Sequence, residues 1–298
     1  VVICGAYGRG NAGDDAILEA IINEMHAIDA DMPIVVLSKN PPETRLRYRV
    51  SAVYTFNIFA FRRAMRKSRL YINGGGSLIQ DVTSRRSLFF YLYNIWAAKN
   101  LGNRVIMYGC GIGPVNYRFD RRFAAWVINR KVDIITLREQ DSLDELKRLG
   151  VTKPEILLSA DPALTLTPAG EEPVDSVLLR EGIPSNGSYI CFALRKWPGF
   201  NEKLEFFAGA AEYAYEKYGL TPVFIPIDSR KDVEASQLVA ARLRIPCHIV
   251  KNVMSSGETI GVMARMRAVV SMRLHGLIFA AGNGIPLVGI AYDPKVSA

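Results

Sequence analysis

Val1-Val2-Ile3-Cys4-Gly5-Ala6-Tyr7-Gly8-Arg9-Gly10-Asn11-Ala12-Gly13-Asp14-Asp15 is the stretch on which the fold class turns. Four apolar residues run straight into a glycine-rich turn, and a helical pattern follows from residue 15 to 27. Uninterrupted apolar runs of this kind are what parallel strands covered on both faces look like in sequence. The pattern recurs at 34–37, 70–72, 105–108 and 134–137, then again at 189–193, 223–227, 248–250, 268–272 and 287–290. Helical stretches lie between them, among them 121–129, 202–218 and 233–242. Alternating strands and helices predict an α/β protein with parallel sheets and helices on both faces. Proline, glycine and acidic residues break the periodicity between Pro162 and Gly187. The expected organisation is therefore two Rossmann-like domains, 1–168 and 169–298, facing each other across a cleft. In such sheets ligands bind beyond the carboxyl ends of the strands, so those ends are where chemistry is sought.

The 298 residues are 49% hydrophobic and 22% charged, which rules out a disordered chain. Cys4, Cys110, Cys191 and Cys247 are scattered, three of them in apolar runs, and read as buried thiols of a reducing, cytoplasmic compartment. His26, His248 and His275 form no metal-ligand spacing with cysteine, so no metal site is expected. Residue 1 already opens a strand, leaving no leader, and no apolar run reaches the length of a membrane span. A net charge of +8 favours anionic partners without choosing among phosphorylated metabolites, nucleic acid and acidic membranes. Dispersed basic residues and the absence of a recognition motif argue against nucleic acid.

Residues 8 to 13 match G-x-G-x-x-G, but that fingerprint also wants a carboxylate after the second strand. Leu37-Ser38-Lys39-Asn40 supplies none. The segment reads instead as an open loop at a helix N-terminus, suited to an anion or a sugar through Asn11 and Gly13. Asp14 or Asp15 is expected to cap that helix, or Asp14 to contact substrate. Asn73-Gly74-Gly75-Gly76-Ser77 follows a buried strand, either as a tight turn or as backbone open to a ligand, with Ser77 placed to cap a following helix. Gly109-Cys110-Gly111-Ile112-Gly113-Pro114 repeats the theme. Arg138 then leaves the next strand, where it can clamp phosphate or carboxylate or pair with Glu139 or Asp141 at the surface.

In the second half, Arg195 and Lys196 follow the first strand. If the chain is still extended over 271–275, Ser271, Arg273 and His275 share one face. His275 is either a hydrogen-bonded core residue or a proton donor.

In this order the segments resemble the polysaccharide pyruvyl transferase family, most closely its bacterial branch that ketalates cell-wall polymer sugars. Asn11-Ala12-Gly13-Asp14, the glycine turns at 74–76 and 109–113, Arg138 with Ser142, Asp161-Pro162-Ala163 and Arg273-Leu274-His275-Gly276 carry the resemblance. It implies a glycosyltransferase-B-like fold with the acceptor on the first domain and the donor on the second. The donor is phosphoenolpyruvate, with no metal or nicotinamide cofactor. The acceptor is a sugar such as N-acetylmannosamine on a cell-surface polysaccharide or its lipid-linked precursor. Arg138 and His275 then sit where donor is bound and activated; Arg195 and Arg273 join as anion clamps, Asp14 as base or acceptor contact. Members of the family continue past the position of Ala298, so further residues are expected to complete the second domain.

The competing reading is a nucleotide-sugar glycosyltransferase of the same fold; a binding module that holds a phosphorylated metabolite without turnover is a third. Residues 57–68 form a basic amphipathic helix, with Ile58, Phe61 and Met65 opposite Arg62, Arg63, Arg66 and Lys67. It either packs on the sheet with solvated cations or docks on the anionic inner leaflet.

Overall fold

The computed structural model describes residues 1–292. The chain divides into two compact units, one of residues 1–9 with 14–162, the other of residues 10–13 with 163 onward. Residues 163–168 and the loop 10–13 thus group with the second unit.

Up to residue 158 the elements are β1 (Val2–Cys4), α1 (Ala12–Ile28), β2 (Val35–Ser38), α2 (Pro41–Tyr48), β3 (Ser51–Tyr54), α3 (Ile58–Lys67), β4 (Leu70–Ile79), α4 (Arg85–Asn100), β5 (Arg104–Ile112), α5 (Arg118–Lys131), β6 (Ile134–Leu137), α6 (Gln140–Leu149) and β7 (Glu155–Leu158). After short turns they continue as α7 (Glu171–Arg180), β8 (Tyr189–Ala193), α8 (Leu204–Tyr218), β9 (Thr221–Phe224), α9 (Asp232–Ala240), β10 (His248–Ile249), α10 (Ser256–Ala264), β11 (Ala268–Ser271), α11 (Leu274–Gly282) and β12 (Leu287–Gly289).

Among the described residues the strands form two sheets, ordered β3-β2-β1-β4-β5-β6-β7 and β10-β9-β8-β11-β12. Every pairing is parallel. Both sheets reverse strand order once, between β1 and β4 and between β8 and β11, and such reversals open the crevice where doubly wound folds bind ligands. The central strands are buried along their whole length, β1 and β8 without exception. That is why they read as continuous apolar runs. On one face of the first sheet, Phe61 and Met65 of α3, Leu88, Leu92 and Ile95 of α4 and Val127 of α5 share one core cluster. Phe192, Phe207, Phe224 and Met272 anchor that of the second unit.

Five local expectations need correction. β3 and β7, four-residue strands at the two edges of the first sheet, were not expected. Helix α7 occupies the segment read as a break. The helix after β1 begins at Ala12 and is capped by Asn11, whose Oδ1 accepts from Gly13 N at 3.0 Å, so neither Asp14 nor Asp15 is the cap. Gly74, Gly75, Gly76 and Ser77 lie inside β4, and it is Ser84, not Ser77, that caps the next helix. Extended backbone ends at Ser271: Arg273 is the N-cap of α11 and His275 is helical, so the shared strand face of 271, 273 and 275 does not form. Helix α3 packs Phe61 and Met65 into the core and leaves Arg62, Arg63, Arg66 and Lys67 in solvent, with the apolar and basic sides divided as the sequence pattern has them.

Candidate functional site

At the carboxyl edge of the first sheet, Tyr7 is buried and donates its hydroxyl hydrogen to Gly74 O at 2.7 Å. Gly75, at φ +63°, lies against Ile17: a Cβ there would overlap the isoleucine side chain. The room that the triple glycine opens at Gly75 is therefore filled by α1, not left for a ligand. At Gly76 the added carbon would stand 3.3 Å from Asp14 Oδ1, so the half-exposed Asp14 carboxylate lies beside this strand exit. Asp15, its neighbour, turns inward. It meets Arg47 Nη1 at 3.4 Å, accepts from the backbone of Gly8, and burial pushes its carboxyl up to about 6. Lys39 N donates to Tyr7 O at 3.1 Å, so the end of β2 closes on the glycine loop where a dinucleotide fold presents its ribose-binding carboxylate.

Arg138, just past β6, is only 4% exposed. Its Nε donates to Glu139 Oε2 at 2.9 Å, its Nη1 to Asp161 Oδ2 at 2.8 Å and its Nη2 to Ser77 Oγ at 3.4 Å. Gly111 forms the floor of this cluster: a Cβ there would lie 2.7 Å from Glu139 Oε1 and 2.8 Å from Ser77 Oγ. Ser142 Oγ, in turn, donates to Glu139 Oε1 at 2.8 Å and accepts from Ile112 N at 2.7 Å. Burial opposes the arginine's charge, but Asp161 and Glu139 outweigh it and hold the guanidinium above its usual pKa. The pairing with Glu139 was among the sequence alternatives; its burial was not. Arg138 is a hub joining the ends of β4, β5, β6 and β7, with its charge answered by two carboxylates. Cys110, in β5, is pushed up to about 12 by burial and is no nucleophile at neutral pH.

In the second unit, the loop 10–13 is stitched to the residues after β9. Ala12 N donates to Ile227 O at 2.8 Å, Ser229 N to Gly10 O at 2.9 Å, and Asn11 bridges Asp228. Gly13 packs so closely on His275 that a Cβ would overlap the imidazole. The third glycine of the fingerprint-like motif thus makes room for a histidine, not for a pyrophosphate. The half-buried His275 lies in the first turn of α11, with Phe279 one turn on, ring centroids 6.1 Å apart.

Arg273 Nε donates to Asp232 Oδ2 at 2.8 Å, its Nη2 pairs with Asp232 Oδ1, and Asp228 Oδ2 stands 3.9 Å away. Burial opposes its charge too, and the two aspartates outweigh it, holding the guanidinium above its usual pKa. Ser271 Oγ is occupied by the backbone of Arg273, accepting from its N at 2.9 Å and donating to its O at 2.8 Å. Ser271 and Arg273 are therefore committed to shaping the turn into α11. Neither Asp228 nor Asp232 was singled out from sequence, and they lie some forty residues upstream of the arginine they neutralise. Register offers one retrospective signal, since the first sheet shows the same device: an arginine leaving one strand and an aspartate leaving another.

Arg195 differs. It follows β8, whose Ala193 pairs with Ser271 of β11, so it leaves the sheet at the strand reversal. Its Nη1 donates to the neutral Tyr292 hydroxyl at 2.8 Å, its guanidinium lies 5.5 Å from that ring, and no carboxylate is within ion-pair distance among the described residues. The second unit thus packs Gly13 against His275 in the first turn of α11, while Arg195 leaves the adjacent strand β8 at the reversal of the same sheet. Free N–H groups of such a turn favour anions. Among the described residues no group of three or more His, Cys, Asp or Glu side chains could hold a metal ion.

Solved structures share this fold. The UDP-GlcNAc 2-epimerase of Methanocaldococcus jannaschii matches with a TM-score of 0.66 at 12% identity, covering 98% of this chain and 83% of that one. The epimerase of Neisseria meningitidis bound to UDP-GlcNAc matches at 0.64 and 11%, covering 99% and 85%. Anabaena Alr3699/HepE in complex with UDP-glucose matches at 0.61 and 11%, covering 97% and 79%. The two Rossmann-like sheets are thus those of glycosyltransferase-B-type enzymes. Among curated proteins, the amylovoran biosynthesis protein AmsJ of Erwinia amylovora is 23% identical, with 99% of this chain and 84% of that protein covered. The family model for polysaccharide pyruvyl transferase matches residues 11–294, so the chain belongs to that family of pyruvyl-transferring enzymes.

Proposed function

We propose that the chain transfers pyruvate from phosphoenolpyruvate to two hydroxyls of one sugar, forming a cyclic ketal and releasing phosphate. The acceptor we assign is an N-acetylhexosamine such as N-acetylmannosamine in a cell-surface polysaccharide or its lipid-linked precursor. The observation that carries the reading is Arg195, a cation with no carboxylate partner among the described residues, which leaves β8 at the reversal of the second sheet, while His275 sits in the first turn of α11 after the adjacent strand β11. A donor with a phosphate and a carboxylate needs that combination of fixed charge, N–H groups and a proton source.

The chemistry follows from the donor. The His275 imidazolium delivers a proton to the methylene carbon, and the central carbon becomes electrophilic. One sugar hydroxyl adds there and loses its proton to a base, for which Asp14 is the candidate. Phosphate then leaves with the electrons of its C–O bond, and a second hydroxyl closes the ketal as its proton departs. The methylene carbon gains a hydrogen while the central carbon gains a second bond to oxygen, so the two formal changes cancel. The sum of phosphoenolpyruvate and diol to ketal and phosphate is redox-neutral, and no redox cofactor is required. Arg195 and the α11 N-terminus hold the donor's anionic groups. Arg138 and Arg273 act by holding strand ends in place. Four free thiols fit a reducing, cytoplasmic setting.

Calorimetric titration with phosphoenolpyruvate and with UDP-GlcNAc tests the assignment. Phosphoenolpyruvate is expected to bind wild type, with affinity at least tenfold lower in Arg195→Ala and only partly restored in Arg195→Lys, since an ammonium lacks the bidentate fork. Tight UDP-GlcNAc binding with none of phosphoenolpyruvate would replace pyruvyl transfer by glycosyl transfer.

A further inference from the structure

Helices α4 and α5 pack side by side on one face of the first sheet, and their outward sides carry matching aromatic stripes. On α4 these are Phe89, Tyr93 and Trp96; on α5 they are Phe119, Phe123 and Trp126. Both triplets have the spacing i, i+4, i+7 that lines up one side of a helix. The stripes touch: Phe89 is 5.6 Å from Phe123 and 6.4 Å from Phe119 between ring centroids. Core packing accounts for only part of them: Phe123 leans on the core cluster, which is otherwise supplied on these helices by residues such as Leu88, Leu92 and Val127, while Phe119, Tyr93, Trp96 and Trp126 are exposed. Phe119 is 64% exposed, Trp96 39% and Trp126 40%. Two of the three tryptophans in the chain stand there.

The charges on these helices are one-sided. Between them α4 and α5 carry eight lysines and arginines and a single acid, Asp120, which is buried and held by Arg85 through two bonds of 2.8 Å. Arg86, Arg118, Arg122 and Arg130 are exposed, with no carboxylate in ion-pair range among the described residues. Arg86 lies three residues before Phe89, Arg122 three after Phe119, and Arg130 four after Trp126 with its guanidinium 5.4 Å from that ring. Amphipathic aromatics flanked by arginine are the composition of a surface that lies in a membrane interface. Docking a second copy on the same face would instead oppose two sets of cations with no acid to answer them.

We propose that the α4–α5 face docks on an anionic lipid surface, with tryptophan and phenylalanine rings entering the headgroup layer and the four arginines held by lipid phosphates. The face begins at the carboxyl edge of the first sheet, since each helix starts where its preceding strand ends, so docking puts the Asp14 side of that sheet near lipid-borne sugar. That last step rests on the pyruvyl-transfer reading; the surface itself does not.

Co-sedimentation with phosphatidylcholine vesicles, with and without phosphatidylglycerol, tests it, together with tryptophan quenching by lipids brominated in the acyl chain. Wild type is expected to bind only the anionic vesicles, to release in high salt and to show quenched tryptophan when bound. At about fivefold per cation near an anionic surface, R86Q/R118Q/R122Q/R130Q should bind at least tenfold more weakly. W96S/W126S should also lose binding, and both variants should keep wild-type phosphate release with a water-soluble acceptor. R62Q/R63Q/R66Q/K67Q on α3 should bind within fivefold of wild type. Equal partition onto neutral vesicles, or loss of binding in the α3 variant with none in the α4–α5 arginine variant, would overturn the proposal. So would self-association that W96S/W126S abolishes in a wild type that ignores lipid. Because no turnover is involved, failure here leaves the catalytic reading standing, and absence of turnover leaves this one standing.

Discussion

Arg138 and Arg195 both stand just past the carboxyl end of a parallel strand, one in each unit, and they are put to opposite uses. Arg138 is buried, faces Asp161 and Glu139, and has hydrogen bonds in three directions. Arg195 is half-exposed and hydrogen-bonded to a neutral tyrosine hydroxyl. The lesson is that position alone does not make an anion clamp. An arginine whose charge is answered by carboxylates stiffens the edge of a sheet, whereas one that meets no carboxylate among the described residues, as Arg195 does, has attraction left for a ligand. Arg273 falls with Arg138 by this criterion, through Asp232 and Asp228.

The largest effect expected from the contrast is on neither arginine but on the imidazole that follows the strand next to Arg195's own. His275→Ala should lower kcat by about 10²–10⁴, the usual contribution of a general acid, with an unchanged circular dichroism spectrum and Tm. Turnover near wild type would remove the imidazole from the mechanism.

The arginines themselves come next. Arg138→Ala takes the guanidinium away from the buried Asp161 and the largely buried Glu139 and should cost about 3–5 kcal/mol of stability in denaturant titrations. Arg195→Ala should stay within about 1 kcal/mol of wild type while its donor affinity falls. If Arg138→Ala were neutral in stability yet blind to donor, the division of labour would be reversed.

Gly13→Ala gives a finer test. The added methyl has nowhere to go but into the His275 ring. A displacement of about 1 Å in a catalytic group can cost about 10²-fold, so kcat should fall sharply with KM little changed. Equal kcat would show that the ring shifts without consequence.

The smallest effect concerns Asp15. Its folded-state pKa of about 6 lies above the ordinary value of 3.8, so the folded form binds the proton more tightly. The stability linked to that proton is complete below pH 3.8 and is lost as pH rises through about 6. Asp15→Asn carries no such loss. Its stability relative to wild type should therefore improve by about 2 kcal/mol between pH 4 and pH 7.5 in urea titrations. A pH-independent difference would mean that Arg47 offsets the burial entirely.

The parts legible in sequence were those fixed by local patterns. Strands buried on both faces spell themselves out as apolar runs, and β1, β4, β5, β8 and β11 were read that way. Glycine motifs at the ends of β1, β4 and β5 marked the right edge of the first sheet. What stayed hidden depends on partners distant in the chain. Nothing in the residues around Arg273 announces Asp232, and nothing beside Arg138 announces Asp161, because those pairings exist only once neighbouring strands are in register. β3 and β7 were missed for a related reason: short edge strands need cover on fewer sides and carry less pattern. The glycines misled in a different way. Gly13 and Gly75 were read as openings for a ligand, but the space each one leaves is taken by His275 or Ile17. The aromatic stripes on α4 and α5 could have been read at helical spacing, but only burial shows that they face outward.

The central claim is that phosphoenolpyruvate donates its pyruvyl group to a sugar diol. The most direct measurement is phosphate release from phosphoenolpyruvate by the full chain, with and without an N-acetylmannosamine-containing acceptor, with the product followed by mass. The account predicts acceptor-dependent release and a product heavier by one pyruvyl ketal, both lost in His275→Ala. Release that ignores the acceptor, or a sugar product formed from a nucleotide-sugar donor instead, would contradict it.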